Sequence, residues 1–381
     1  AVVIDCESGD LLAVGSSPSF DPNLFVRGIS SDAYNGLRNN VFGPLRAKAV
    51  QGTYAPASTF KMVTALAALE SGVLRLDETV FCPGHLDVAG NRFHCWKRQG
   101  HGAMNVSDSI SQSCDVFFYA IGQKVGIDKI SDMARRFGLG QQYDLPLSAV
   151  SRGVVPTPDW KQRSFDKGWL LGDTVNASIG QGYVLASPLQ LAVMAARLGT
   201  GRTVQPRLIQ NINGEVMPLG GGTQLDVDPV HLAVVQKAMF EVANTKDGTA
   251  FSKRITTQEL RMAGKTGTAQ VRRITAKERT TGVIPNEDLT WGQRDHALFV
   301  NYAPHDNPKI SVAVVVEHGG SGSSIAAPIA RDITLFALTG KMPDLKHYPT
   351  ELHNKIKREQ KELAPRLIDW NKIGTSERAK T

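Results

Sequence analysis

Strand-like patterns occupy both ends of this 381-residue chain, and helical patterns fill the space between them. Ala1-Val2-Val3-Ile4 reads as a strand, Glu7-Ser8-Gly9-Asp10 as a turn, and Leu11-Leu12-Ala13-Val14 as the returning strand. Near the other end, Met262 to Val271, His296 to Tyr302 and Lys309 to Glu317 have the same period. Between them, helical spacing predicts Ser58 to Glu70, most of 107 to 138, Pro188 to Leu198 and Pro229 to Ala243, and Ala326 to Leu338 follows the last strand. A hairpin cannot bury its apolar face alone. The economical solution is an α/β chain of the α+β kind, in which one antiparallel five-stranded sheet is assembled from both ends. Helices flank it, and the middle forms a mostly helical subdomain.

At 41% hydrophobic and 21% charged residues, the chain can bury a sizeable core. The net charge of +7 comes without a compact Lys/Arg block, which argues against nucleic acid as a partner. It is compatible with weak attraction to an anionic polymer or membrane surface. No apolar run of about 18 residues and no signal peptide are present. Because Ala1 already lies in a strand, the chain is expected to be a piece of a longer protein. Two regions are expected: a domain over 1–342 and a charged, mobile tail over 343–381, with a helix at Lys355 to Lys361. The stretches 73–105 and 141–182 read as largely irregular, and Arg272 to Arg294 as a polar, mobile loop.

Three short motifs carry chemistry. Ser58-Thr59-Phe60-Lys61 sits at a helix start, where residues three apart share a face. Lys61 can then hydrogen-bond the Ser58 hydroxyl and accept its proton, provided burial and a second ammonium, that of Lys265, make Lys61 neutral. Free N–H groups at the helix start would receive an oxyanion. Alone, the pattern is far more often that of a capping serine and a surface lysine. The second motif, Lys265-Thr266-Gly267-Thr268, lies in an apparent edge strand that an extended peptide could pair with. Lys265, Thr266 and Thr268 suit a substrate carboxylate, and the Thr268 N–H would complete the oxyanion hole with that of Ser58. A phosphate loop would need glycine where Glu259 stands. Third, Ser113-Cys114-Asp115 offers a hydroxyl for proton relay and a carboxylate to hold ammonium groups. Ser109 and Ser111 compete for the first of these roles.

With these motifs the chain resembles the penicillin-binding protein transpeptidases over nearly all of 1–340. The resemblance rests on Gly52-Thr53-Tyr54-Ala55-Pro56-Ala57-Ser58-Thr59-Phe60-Lys61 and on Ser113-Cys114-Asp115-Val116-Phe117-Phe118-Tyr119. Many relatives have Asn at the third position of the Ser-x-Asp motif, and Asp115 is similar to the elongation-type class B subgroup (penicillin-binding protein 2-like). So are His94-Cys95-Trp96-Lys97, Pro156-Thr157-Pro158-Asp159-Trp160-Lys161, Gly172-Asp173-Thr174 and Ile179-Gly180-Gln181-Gly182-Tyr183. The resemblance implies a β-lactamase/transpeptidase-like fold and D,D-transpeptidation of peptidoglycan stem peptides. Ser58 would be acylated by a D-Ala-D-Ala donor and resolved by a diamino-acid acceptor, and β-lactams would acylate it instead. The same resemblance implies a membrane anchor and pedestal domain outside this sequence, and a catalytic domain in the periplasm at the bacterial inner membrane. It further implies work beside a membrane glycosyltransferase and other elongation-complex proteins. The chemistry requires no cofactor.

Cys82, Cys95, His101 and Cys114 lie close in sequence, and three thiolates with one imidazole make a closed tetrahedral zinc set. His94 or His85 could replace His101. A Cys82–Cys95 disulfide, permitted by an oxidising periplasm, and unpaired buried thiols are the rivals. Three other functions share these motifs: a serine β-lactamase, a β-lactam sensor domain, and a non-catalytic partner of the wall machinery.

Overall fold

The computed structural model describes residues 1–275, 278 and 282–366. Its sheet contains β1 (Val2–Asp5), β2 (Leu11–Val14), β3 (Ala263–Ala269), β4 (His296–Ala303) and β5 (Ile310–Val316). The order is β2-β1-β5-β4-β3, with every neighbouring pair antiparallel. Both chain ends therefore build one sheet, as the pattern predicts. β1 pairs with β5 along Val2↔Ala313 to Asp5↔Ile310, which fixes the N-terminal hairpin to the C-terminal strands.

Side chains alternate across a strand, so each face of the sheet takes its own helix. On one face, Ser311 Oγ donates to the Ala192 carbonyl of the helix Pro188–Thr200. On the other, Asn301 Nδ2 donates to Thr334 Oγ1 of the helix Ala327–Thr339. The first helix is buried almost all round, including Leu189, Leu191, Val193, Met194 and Leu198. Each such side chain contributes roughly 1.5–3 kcal/mol on leaving water. Ser187 caps its N-terminus in a capping box with Gln190, and Pro188 stands at the first turn, where a missing N–H costs nothing.

The second half of the molecule is mostly helical. Its centre is α1 (Lys61–Glu70), whose residues Lys61 to Leu69 are all buried. α2 (Asp115–Val125) and the helix Ile127–Arg136 surround it, and Pro229–Asn244 packs between it and β3. The stretch 141–182, expected to be loop, contains two short helices, Pro158–Phe165 and Leu171–Ser178. The first was obscured by its proline, which here occupies the opening turn beneath a Thr157 cap. Within 73–105, Val80–Cys82 pairs with Gly102–Met104, and His85–Val88 with Asn91–His94.

After the sheet, the helix His353–Leu363 runs longer than expected and is anchored by buried Ile356 and, just before it, Tyr348. The rest of the expected tail from 367 and part of the expected polar loop, 276–277 and 279–281, lie outside the described residues. Among the described residues, no helix is long and apolar enough to cross a membrane.

Candidate active site

Ser58 lies not in an α-helix but in a 3₁₀ turn, Ala57–Phe60, that feeds directly into α1. Ala57 takes a left-handed φ of 50°, and its N–H is held by the Gly180 carbonyl at 2.8 Å. Residues i and i+3 eclipse in such a turn. Ser58 is partly exposed, and Lys61, three residues on, is wholly buried. The expected Ser58–Lys61 hydrogen bond is not what the ammonium makes. Lys61 Nζ donates to Asp115 Oδ1 at 2.7 Å, to the Ser113 carbonyl at 2.9 Å and to Ser113 Oγ at 3.2 Å. A carboxylate in a site with 0% and 12% side-chain exposure attracts the ammonium more strongly than a neutral hydroxyl can. The Phe118 ring lies 5.4 Å from the same nitrogen.

The second wall is the break between the helix Val106–Ser111 and α2. Ser113 adopts a left-handed φ of 59°, a strained conformation for a residue with a side chain, and Asp115 opens α2. This turn aims both side chains at Lys61. Asp115 Oδ2 accepts the Trp96 N–H at 2.8 Å, and Trp96 Nε1 donates to the Ser113 carbonyl at 3.0 Å. Of the competing serines, Ser111 Oγ donates to Asp108 and Ser109 is buried, and neither bonds Lys61.

β3 forms the third wall and is the sheet's edge. A Cβ at Gly267 would come within 3.0 Å of Thr59 Cγ2 and 3.1 Å of the Pro56 carbonyl oxygen, tighter than ordinary van der Waals contact. The strand thus lies against the nucleophile turn. Lys265 is fully buried, and its ammonium donates to the Thr266 carbonyl at 3.3 Å. Burial, and then the neighbouring Lys61 charge, hold Lys265 well below the ordinary lysine range. Thr266 is buried, and Thr268 is exposed to the cleft.

Behind Asp115 lies a compact group of ligand atoms. One atom each from Cys82, Cys95, His101 and Cys114 falls within 4.8 Å of all the others. Tetrahedral zinc with ordinary bond lengths sets N···S at roughly 3.5 Å and S···S at roughly 3.8 Å. His101 Nδ1 stands 3.5 Å from Cys95 Sγ and 3.7 Å from Cys82 Sγ. The donor set therefore fits a closed structural site. The cysteines are free thiols, so the Cys82–Cys95 disulfide is not formed. His85 and His94 face each other on their own hairpin, outside the group. A hydrogen bond from Cys114 holds Cys95 down at about 5, and the same contact pushes Cys114 up. The cluster also touches the catalytic wall directly, since the Asp115 N–H donates to Cys95 Sγ at 3.4 Å.

The structure adds residues that motif reading passed over. Thr249 Oγ1 lies 2.8 Å from Thr266 Oγ1, and the Thr249 carbonyl accepts Ser323 Oγ at 2.6 Å. Trp96 braces both Ser113 and Asp115, and Gln181 Nε2 donates to the Thr268 carbonyl at 3.3 Å. Trp96 and Gln181 stand in stretches singled out by resemblance, but nothing in the spacing showed what they touch. Thr249 has no sequence signal beyond a glycine before it.

The family model of the penicillin binding protein transpeptidase domain matches residues 1–335. Among curated proteins, the peptidoglycan D,D-transpeptidase MrdA of Haemophilus influenzae is 36% identical over 93% of this chain and 55% of its own length. That of Escherichia coli K12 is 38% identical over 85% of this chain and 52% of its own length. This chain thus spans about half the length of these relatives. Among solved structures, Pseudomonas aeruginosa PBP2 in complex with WCK 5153 superposes with a TM-score of 0.78 at 36% identity, covering 92% of this chain and 72% of that one. Helicobacter pylori PBP2 in its complex with MreC gives 0.77 at 33% identity, covering 89% and 60%.

Proposed function

Because this chain belongs to the penicillin-binding protein transpeptidase family, we propose that it crosslinks peptidoglycan stem peptides through an acyl-enzyme on Ser58. The observation that carries this is the convergence of Lys61, Ser113 and Asp115 on one buried charge network, with Ser58 three residues before Lys61 and Lys265 on the strand that lies against the nucleophile turn. Lys61 and Lys265 repel each other, so the pair favours holding one proton fewer than two ammonium groups would. Before substrate binds, Lys61 Nζ is paired with Asp115, and burial together with the Lys61 charge disfavours an ammonium on Lys265. The carboxylate of a donor peptide, docked at Lys265, Thr266 and Thr268, draws the proton to Lys265. Lys61 is then neutral and takes the Ser58 proton as Oγ attacks the penultimate D-alanine carbonyl. The N–H groups of Ser58 and Thr268 receive the oxyanion. Ser113 passes the proton from Lys61 to the departing D-alanine amine. An amine from a neighbouring stem then attacks the acyl carbonyl, returns its proton through the same relay, and frees Ser58. A β-lactam acylates the serine in the same way.

Electrospray mass spectrometry after exposure to penicillin tests this reading. A long-lived adduct on Ser58 supports it; rapid loss would make the chain a serine β-lactamase, and no adduct on folded protein a non-catalytic partner. A sensor domain would bind covalently but transfer no acyl group to an added D-amino acid.

Zinc is the metal that the Cys82, Cys95, His101 and Cys114 set suits. It would supply no reaction step, only a crosslink holding the 82–101 segment, and with it Trp96, against Asp115. Stoichiometric zinc in purified protein and a lowered unfolding midpoint on chelation are expected. Metal-free protein indifferent to chelator would leave three structural thiols and an imidazole. In the cell, the chain would belong to an inner-membrane protein with this domain in the periplasm, alongside a membrane glycosyltransferase and elongation-complex partners. The complex of the H. pylori relative with MreC supports the elongation-complex partners.

A further inference from the structure

We infer that Gln181 is a substrate-positioning residue: its carboxamide caps the free edge of β3 and is exchanged for the backbone of the donor peptide. The inference rests on the transpeptidase reading and adds a residue to it. A strand residue points its N–H and C=O to the same side, so the edge strand leaves alternate residues unpaired. The Thr268 carbonyl is on that open side, because it accepts Gln181 Nε2 at 3.3 Å and not a neighbouring strand. It is the acceptor that an extended peptide would use to add itself to β3 beside Ser58.

Gln181 is presented there by a rigid device. Gly180 and Gly182 on either side have φ of 69° and 70°. A Cβ on Gly180 would lie 2.4 Å from the Ala57 carbonyl oxygen and 2.6 Å from Phe60 Cβ. Only glycine lets this turn rest against the nucleophile turn, and the Ala57 N–H bond to the Gly180 carbonyl at 2.8 Å locks the two together. The Gln181 N–H is itself held by the Asn176 carbonyl at 3.0 Å. The side chain is thus the movable part of an otherwise fixed turn.

A bound peptide needs an acceptor for its N–H and a donor for its C=O. The Thr268 carbonyl supplies the first once Gln181 Nε2 leaves it. The second cannot come from Asp115, which carries no amide and whose two oxygens already serve Lys61 and Trp96. Gln181 Nε2, released from Thr268 and attached to the same turn as the nucleophile, meets the peptide carbonyl. The residue therefore selects acyl donors that carry a backbone amide at this position.

The test compares two acylating agents: benzylpenicillin, which has an acylamino group, and 6-aminopenicillanic acid, which lacks its carbonyl. Second-order acylation rates are measured for wild type, Gln181→Ala and the isosteric Gln181→Glu, which cannot donate. Both variants are expected to acylate about tenfold more slowly with benzylpenicillin, the size of one lost hydrogen bond, and within about twofold of wild type with 6-aminopenicillanic acid. Equal losses with both agents, or no loss with either, overturn the inference. Absence of a Ser58 adduct in wild type would instead overturn the transpeptidase reading. Urea midpoints for both variants close to wild type identify the effect as one on substrate and not on folding.

Discussion

Replacing Asp115 with Asn keeps the shape of the side chain and removes one acceptor. Asp115 accepts on both sides, from Lys61 Nζ at 2.7 Å and from the Trp96 N–H at 2.8 Å. An asparagine has one oxygen, so either orientation sets its NH₂ against a donor. With oxygen towards Lys61, the Trp96 N–H loses its partner, and the 82–101 segment loosens. With oxygen towards Trp96, the buried ammonium keeps only Ser113. A hydrogen bond to a charged group is worth about 1.5–3 kcal/mol, and breaking a buried ion pair by removing one partner about 3–5 kcal/mol. The retained oxygen and the two Ser113 contacts place Asp115→Asn nearer the lower range, at roughly 2–3 kcal/mol. If that loss falls on the transition state, acylation slows by about thirty- to a hundred-and-sixtyfold. Stopped-flow acylation by a fluorescent penicillin, with urea unfolding in parallel, measures both. Wild-type acylation together with an unchanged unfolding midpoint would falsify the view that this carboxylate holds the network together.

Three further outcomes follow from the same groups. Lys265 is held below the ordinary lysine value, so over the pH range between its folded and unfolded values the unfolded chain binds the extra proton, and stability rises with pH. Lys265→Met should therefore abolish acylation yet raise the urea midpoint at pH 7, with a smaller gain at pH 9; a destabilised variant would contradict this. His296 is pushed down from the ordinary histidine value of 6.5 to about 4, by burial and then by His318. Its stabilising contribution is complete above pH 6.5 and is lost as pH falls towards 4, so His296→Asn should lose less of its urea midpoint than wild type between pH 7 and pH 5. Gly180→Ala should weaken acylation and stability together, because its Cβ would meet backbone 2.4 Å away; wild-type values for both would show that the turn yields.

The sequence by itself determined the sheet and the candidate residues. Period-two patterns at both ends left no other way to bury β1, β2, β3, β4 and β5, and the three motifs named the groups that meet at Ser58. Local pattern was weaker where short elements depend on caps, as at Pro158–Phe165, whose opening proline reads as a loop until Thr157 is seen to cap it. It also did not reach the partners of Lys61. Spacing placed that ammonium under Ser58, but a charge goes to the strongest acceptor in reach, and Asp115 comes within reach only when α2 starts beside α1. The same holds for His101 as the fourth ligand atom, and for Thr249 and Gln181 at the edge strand. Hydrogen bonds and coordination act over about 3–4 Å, whereas the partners here lie from 6 to 87 residues apart along the chain. Only the folded arrangement, set by where the sheet's two halves and the helical insert close, could decide which of the named residues touch.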